Sequence, residues 1–454
     1  MTWRKCALLA VLWGIWLATR ADLYLVATAP HLNGDVGIYQ QWYACCLSHG
    51  RLPAADPMWQ YPPGAALAFW LPGHLPGGYV DAFVLLMVGC DLAVTLMLLA
   101  AARRGGSMAG SWYWTAAVPL LGTTAVTRFD VVPVALSVAA LALAGRPGVR
   151  GALIGAGAAV KVWPVTLLAG TAPGQRRRGL AAAAVVIAAV CVPFAGTLGS
   201  LVAHQHARGP EVESVAATPF MIWRQAGWPG TVVYRFGAMQ LSGPHAALAL
   251  DASRAALVLA ALAVLAWRLR VDTGRAMWRP EFPADVPLAA TLLFLVASPV
   301  LSPQYLLWAA GLAAACLAIG RTTQWPAALA TLAATGLTQL VFPMGWYRLL
   351  AGSEMFTVIL VARNAVLVAA AVLSCRRILA ATAPADSGQG EVQPDLAAVS
   401  NRLRLLRLAR SRVPRQLRDQ VIQGLEQRYP VPCAHDLHIA PAPESRRTAD
   451  QQLS

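Results

Sequence analysis

Apolar runs near the length of a membrane span alternate along this chain with short basic turns, from Cys6 through Ser374. The run Cys6–Leu25 follows Arg4 and Lys5. Basic residues mark the cytoplasmic side of a span, so the N-terminus is expected inside and this run leads outward. A cleaved signal peptide is the rival reading of the same basic start and small residues. Tyr79–Ala102 returns to Arg103 and Arg104, Trp112–Thr124 leads out to the turn Thr127–Asp130, and Val131–Ala144 comes back to Arg146 and Arg150. The stretch Gly151–Gly170 has basic flanks on both sides, so it must cross an even number of times, yet it is one helix long. A break at Val160–Pro164 resolves this, because proline ends a helix and a lysine is costly in lipid. The pattern predicts a re-entrant hairpin or two short helices, with Lys161 near the apex in a water-filled cavity.

Ala181–Phe194 then goes out to a second polar loop, Gly196–Pro244, and Ala246–Leu269 returns to Arg270, Arg275 and Arg279. Asp285–Ser298 goes out, Leu306–Ile319 comes in to Arg321, Trp325–Phe342 goes out, and Met355–Ser374 comes in to Arg376 and Arg377. Both termini are thus expected in the cytoplasm. The expected fold is an all-α polytopic membrane bundle of about 10–12 transmembrane helices with two long extracytoplasmic loops and a cytoplasmic tail. The first of those loops includes residues 33–66. Residues 1–375 read as the membrane domain, 376–395 as a linker, 396–430 as a basic amphipathic cytoplasmic helix, and 431–454 as a disordered tail. Seven arginines between Arg402 and Arg418, interleaved with Leu403, Leu405, Leu406 and Leu408, point to a helix lying on the anionic inner leaflet. A cytosolic helix or a mostly disordered tail fits the same residues.

Composition supports the membrane reading: 57% of the 454 residues are hydrophobic and 13% charged, and mean hydropathy is +0.54. So few charges cannot cover the surface of a soluble protein of this size. The net charge of +15 is not a nucleic-acid signature, because the basic residues cluster beside apolar runs and in the tail. Eight cysteines form no C-x-x-C pair, and Cys45 and Cys46 are adjacent, so neither a zinc site nor a disulfide framework is indicated. No fixed-period repeat is found, which argues against a transporter built on inverted repeats.

Polar groups near the expected outer face are the candidates for chemistry. Asp35 lies between Gly34 and Gly37, where the backbone can turn and a substrate can approach closely. An Asx-turn aspartate in a solvated loop is the bland alternative. Arg128 and Asp130 sit at one helix end, where a local ion pair would explain both. Lys161 needs an anionic partner, either a ligand or Asp91, which lies mid-helix in "VGCDLAV". Glu211 and Glu213 would bind sugar hydroxyls or stay solvated. Ser302, Gln304, Tyr305 and Trp308 form a polar-aromatic end to a span, which interfacial anchoring explains equally well. His204 and His206, two apart, share no helix face, and neither a metal nor a cofactor is expected.

In order, "GDVGIY", "QYPPGAALAF", "TRFDVVPVAL", "GAAVKVWPVTLLAG", "VESVAATP" and "LSPQYLLW" make a chain that resembles the DUF2029 membrane proteins, glycosyltransferase family 87. These are polyprenyl-phosphate-mannose-dependent enzymes of the GT-C superfamily. The resemblance implies a GT-C-like bundle and a polyprenyl-phosphate sugar donor. It also implies a lipid or glycan acceptor and inverting transfer of mannose that leaves an α linkage on the extracytoplasmic face of the cell membrane. Asp35 matches the family's catalytic carboxylate; Arg128 and Lys161 would neutralise the leaving phosphate. Tyr39, Tyr61, Asp130, Glu213, Gln304 and Tyr305 would shape the sugar and acceptor pockets. No nucleic acid is expected as a partner. A transporter or flippase for a lipid-linked or small polar substrate is the competing class, but such a protein should keep its outer loops short and its essential charges at the midplane.

Overall fold

The computed structural model describes residues 3–29 and 34–382. The chain opens with α1 (Trp3–Ala27), and the first polar segment folds into α2 (Gly34–Cys45) and α3 (Ala65–Trp70). Next come α4 (Tyr79–Arg103), α5 (Ala109–Leu121), the single turn α6 (Thr124–Thr127), α7 (Val131–Ala142) and α8 (Pro147–Val160). α9 (Arg176–Cys191) and α10 (Ala195–His206) are joined by one short 3-10 turn. Then follow α11 (Thr218–Gln225), an antiparallel hairpin of β1 (Thr231–Arg235) and β2 (Ala238–Ser242), and α12 (Ala246–Asp272). α13 (Phe282–Ala297), α14 (Leu306–Ile319), α15 (Trp325–Gln339), α16 (Trp346–Leu350) and α17 (Glu354–Thr382) complete the described chain.

Among the described residues six stretches are long and apolar enough to cross a bilayer: Cys6–Ala27, Tyr79–Arg103, Pro173–His206, Ala246–Asp272, Trp325–Met344 and Glu354–Thr382. Val131–Ala142, Phe282–Ala297 and Pro303–Ile319 are shorter apolar helices. The protein is an all-α, multi-pass membrane protein. α14 is its axis: every residue from Leu306 to Ala318 is buried, as expected of a helix that is apolar all round.

Lipid tails are as apolar as the helices, so close backbone approach must supply much of the packing. Glycines make that possible. A Cβ on Gly110 of α5 would lie 2.2 Å from the Ala314 carbonyl oxygen of α14, and the Ser107 N–H donates to the Ala318 carbonyl at 2.8 Å. In the α8–α9 seam a Cβ on Gly151 would lie 2.1 Å from the Gly179 carbonyl, with Gly155 set against Ala183 one turn further on. Gly151→Leu should therefore force the two helices apart. Overpacking of this kind costs ~1–3 kcal/mol or more, read as a lower melting temperature in detergent. A Gly151→Leu protein as stable as the wild type would mean the seam is not tightly packed.

The break expected at Val160–Pro164 is present. α8 ends at Val160, Lys161 is extended (φ −155°, ψ 131°), and the chain turns back as a 3-10 segment, Trp163–Gly170. Fourteen helical residues rise only about 21 Å, so α8 by itself is too short to cross the ~30 Å hydrocarbon layer.

Several expectations change. Asp35 lies in the first turn of α2, not in a loop turn. The loop expected over Gly196–Pro244 is largely built, by α10, α11 and the hairpin. Asp91 is not the partner of Lys161. It takes a bidentate pair from Arg20 (Nε to Oδ2 2.9 Å, Nη2 to Oδ1 3.0 Å), and Trp114 Nε1 donates to Oδ1 at 2.6 Å. α17 runs through Arg376 and Arg377 to Thr382, past the linker start expected at 376. Cys45 and Cys46 are paired with each other; being chain neighbours, they close only a small local ring and tie no distant segments together. The tail helix expected over 396–430 lies outside the described residues.

Candidate active site

The helix ends that carry the connecting loops surround one cavity of about 550 Å³. α2 contributes Asp35 and Tyr39, the next loop Gln60 and Tyr61, and the α6–α7 junction Arg128. The end of α8 adds Lys161, the segment after α10 adds Arg208, Glu211 and Glu213, and the hairpin tip adds Phe236 and Gly237. The entry to α14 contributes Ser302, Gln304, Tyr305 and Trp308. Asp130 stands behind this wall and reaches the cavity through Lys161.

Local sequence explains these placements. Gly34 takes φ +34°, open to glycine and not to most residues, and so starts α2 with Asp35 in its first turn. The unpaired N–H groups and dipole there favour a carboxylate. Asp35 pairs with Arg128, and both are only partly buried. The local Arg128–Asp130 pair that chain proximity would favour does not form. Asp130 is fully buried and its Oδ1 accepts from Lys161 Nζ and from Trp308 Nε1, each at 2.7 Å. Four aromatic rings surround the Lys161 ammonium, with centroids at 5.6 Å (Tyr61), 4.8 Å (Phe129), 5.0 Å (Tyr305) and 5.2 Å (Trp308). Ring faces attract a cation, so the ammonium is held by π density as well as by its carboxylate. Trp308 is itself stacked between Tyr305 (3.9 Å) and Trp163 (5.3 Å).

A second layer lies under the loop after α10. Arg208 donates to Gln60 Oε1 (2.5 Å) and to Glu211 Oε1 (2.6 Å). Glu211 Oε2 accepts from the Leu301 N–H at 2.9 Å and from Ser302 Oγ at 3.3 Å. Gln60 Nε2 donates to the Phe236 carbonyl at the hairpin tip, at 2.8 Å. Glu213 Oε1 accepts from Arg363 Nη2 of α17 at 3.1 Å, and Asn364 Nδ2 donates to the Glu213 carbonyl at 3.2 Å. Burial pushes the Glu213 carboxyl up to about 8 against the pull of Arg363, and raises Glu211 against Arg208. Glu211 and Glu213 are thus buried and tied, not solvated. Gln304 Oε1 is a buried acceptor with no partner among the described residues. Among those residues no group of three His, Cys, Asp or Glu side chains is placed to hold a metal ion.

Asp35, Tyr39, Tyr61, Arg128, Lys161, Glu211, Glu213, Ser302, Gln304, Tyr305 and Trp308 thus meet on the cavity wall, with Asp130 directly behind it, whereas Asp91 lies elsewhere with Arg20. Gln60, Phe129, Arg208 and Arg363 were missed. Arg208 had a readable signal, its i, i+3 spacing to Glu211. Arg363 had none beyond being an arginine inside an apolar run.

A bundle of apolar helices whose loops enclose a charged and aromatic cavity defines a multi-pass membrane protein with a built polar site. The model of glycosyltransferase family 87 matches residues 59–299, more than half of the chain, and the protein belongs to that family. It is a membrane glycosyltransferase, which sets aside the transporter class. The matched region holds Tyr61, Arg128, Asp130, Lys161, Glu211 and Glu213; Asp35 precedes it, and Gln304 and Tyr305 follow it. Searches of curated proteins and of solved structures each gave no match.

Proposed function

We propose that this glycosyltransferase moves a sugar, mannose on the family resemblance, from a polyprenyl-phosphate donor to a lipid or glycan acceptor at the extracytoplasmic face. The observation that carries the reading is the meeting of a partly exposed carboxylate, Asp35, with the cations Arg128 and Lys161 around one cavity. A lipid-linked donor presents a phosphodiester at the edge of the bilayer, and these cations supply the matching charge. Asp35 acts as general base. It takes the proton of the acceptor hydroxyl while that oxygen bonds to the anomeric carbon, and the bond from that carbon to the phosphate oxygen breaks. The electron pair stays with the phosphate, which leaves without needing a proton. A single displacement inverts the anomeric centre, so a β-linked donor gives an α-linked product. Tyr39 and Tyr61 shape the wall beside the base. Gln304, with its open carbonyl oxygen, is an acceptor for a substrate hydroxyl, and Tyr305 offers a ring face beside it. Both termini then lie in the cytoplasm, as the basic flanks of the spans require.

Membranes containing the protein, given radiolabelled polyprenyl-phosphate mannose, are expected to move label into a lipid or polymer fraction. The label should stay on the donor in membranes without it. Transfer from a nucleotide sugar and none from the lipid phosphate would overturn the donor class.

A further inference from the structure

Three cations line the cavity, and each is matched to a carboxylate: Arg128 to Asp35, Lys161 to Asp130, and Arg208 to Glu211. The pairs differ in how firmly they are held. The Asp130 side chain is 1% exposed and is shared with Trp308, while Lys161 sits among four rings. The Glu211 side chain is 5% exposed and also accepts from the Leu301 N–H and Ser302, and Arg208 is held from the other side by Gln60. Arg128 and Asp35 are 18% and 28% exposed, and no other side-chain hydrogen bond ties either of them among the described residues. Two pairs are thus built into the wall and one can come apart.

We propose that Arg128 is an exchangeable cation, paired with Asp35 in the free enzyme and passing to the donor's phosphate as the donor binds, so that phosphate binding and release of the base are one event. This rests on the reading of Asp35 as base and of a phosphate as leaving group. The charge follows the same path. Cleavage of the anomeric bond leaves its electron pair on the phosphate oxygen, taking the phosphate from one negative charge to two. In the same step the acceptor's proton neutralises Asp35. Negative charge therefore appears on the phosphate as it vanishes from Asp35, and the guanidinium already at the phosphate meets it there. An interaction that strengthens only as the bond breaks accelerates the step. Lys161 and Arg208 cannot follow, because Asp130 and Glu211 keep their charge. The free enzyme also holds its base masked until a phosphate arrives.

A binding cycle tests this without any turnover. Wild type, Asp35→Asn, Arg128→Gln and the double variant are titrated with undecaprenyl phosphate in detergent, each checked for its melting temperature. Asp35→Asn is expected to bind about twofold to fivefold tighter, the worth of a partly exposed ion pair no longer competing. Arg128→Gln is expected to bind more weakly, and Asp35→Asn is expected to add nothing in that background. A gain that persists without Arg128 would reflect simple repulsion by Asp35 and would overturn the exchange, as would no gain in the single variant. Asp35→Ser repeats the cycle should the asparagine variant fold poorly. The same non-additivity is expected with inorganic phosphate, since the exchange reads charge and not the lipid tail. Tighter binding of the lipid phosphate than of free phosphate bears on the donor class alone, so the exchange and the donor assignment can fail separately.

Discussion

Asp35→Asn is expected to lower sugar transfer by ~10²–10⁴, the usual worth of a general base, while the protein still folds and inserts. An amide cannot accept the proton of the attacking hydroxyl, and among the described residues no other carboxylate on the cavity wall is free to replace it. Glu211 is occupied by Arg208, the Leu301 N–H and Ser302, and Glu213 by Arg363. Asp35 is more than a quarter exposed, so losing its charge should move the melting temperature little. Turnover of purified variant and wild type with a polyprenyl-phosphate sugar decides the matter. A variant with wild-type turnover would remove Asp35 from the chemistry, whatever becomes of its pairing with Arg128.

Lys161→Met is expected to produce the second large effect, on stability as well as on transfer. It would leave Asp130 buried with only the Trp308 N–H to answer its charge. Removing one partner of a buried pair costs ~3–5 kcal/mol in soluble proteins, and a second change that removes the orphaned charge recovers much of it. Thermal unfolding in detergent should therefore rank Lys161→Met well below wild type, with Asp130→Asn plus Lys161→Met between them. Adding Asp91→Asn to Lys161→Met should not help, because Asp91 belongs to Arg20. Recovery by Asp91→Asn instead would contradict the Asp130 pairing. Donor lipid adds a further readout: if the ammonium also meets the phosphate, the double variant's melting temperature should rise less with donor than that of the wild type.

The alternation of apolar runs and basic turns determined the class of the fold and much of its order, because a bilayer permits few ways to satisfy a backbone. The break at Val160–Pro164 was legible for the same reason: proline and a lysine within one short apolar run have no relaxed place in a straight span. The candidate residues could also be listed, since a charge inside an apolar segment needs a partner. Which partner was a different question. The sequence offered Asp91 or a ligand for Lys161 and the neighbouring Asp130 for Arg128, and the structure gives each of them a different carboxylate, Asp130 to Lys161 and Asp35 to Arg128. Only the packing of α1 against α4 and α5, which gives Asp91 to Arg20 and Trp114, leaves Lys161 to Asp130 and its ring of aromatics. Tertiary structure likewise placed Arg363 under Glu213 and Gln60 beneath the hairpin tip, contacts 150 and 176 residues apart in the chain. Hydropathy is a property of each segment and is written locally, whereas the pairing of buried charges depends on which helices come to lie side by side.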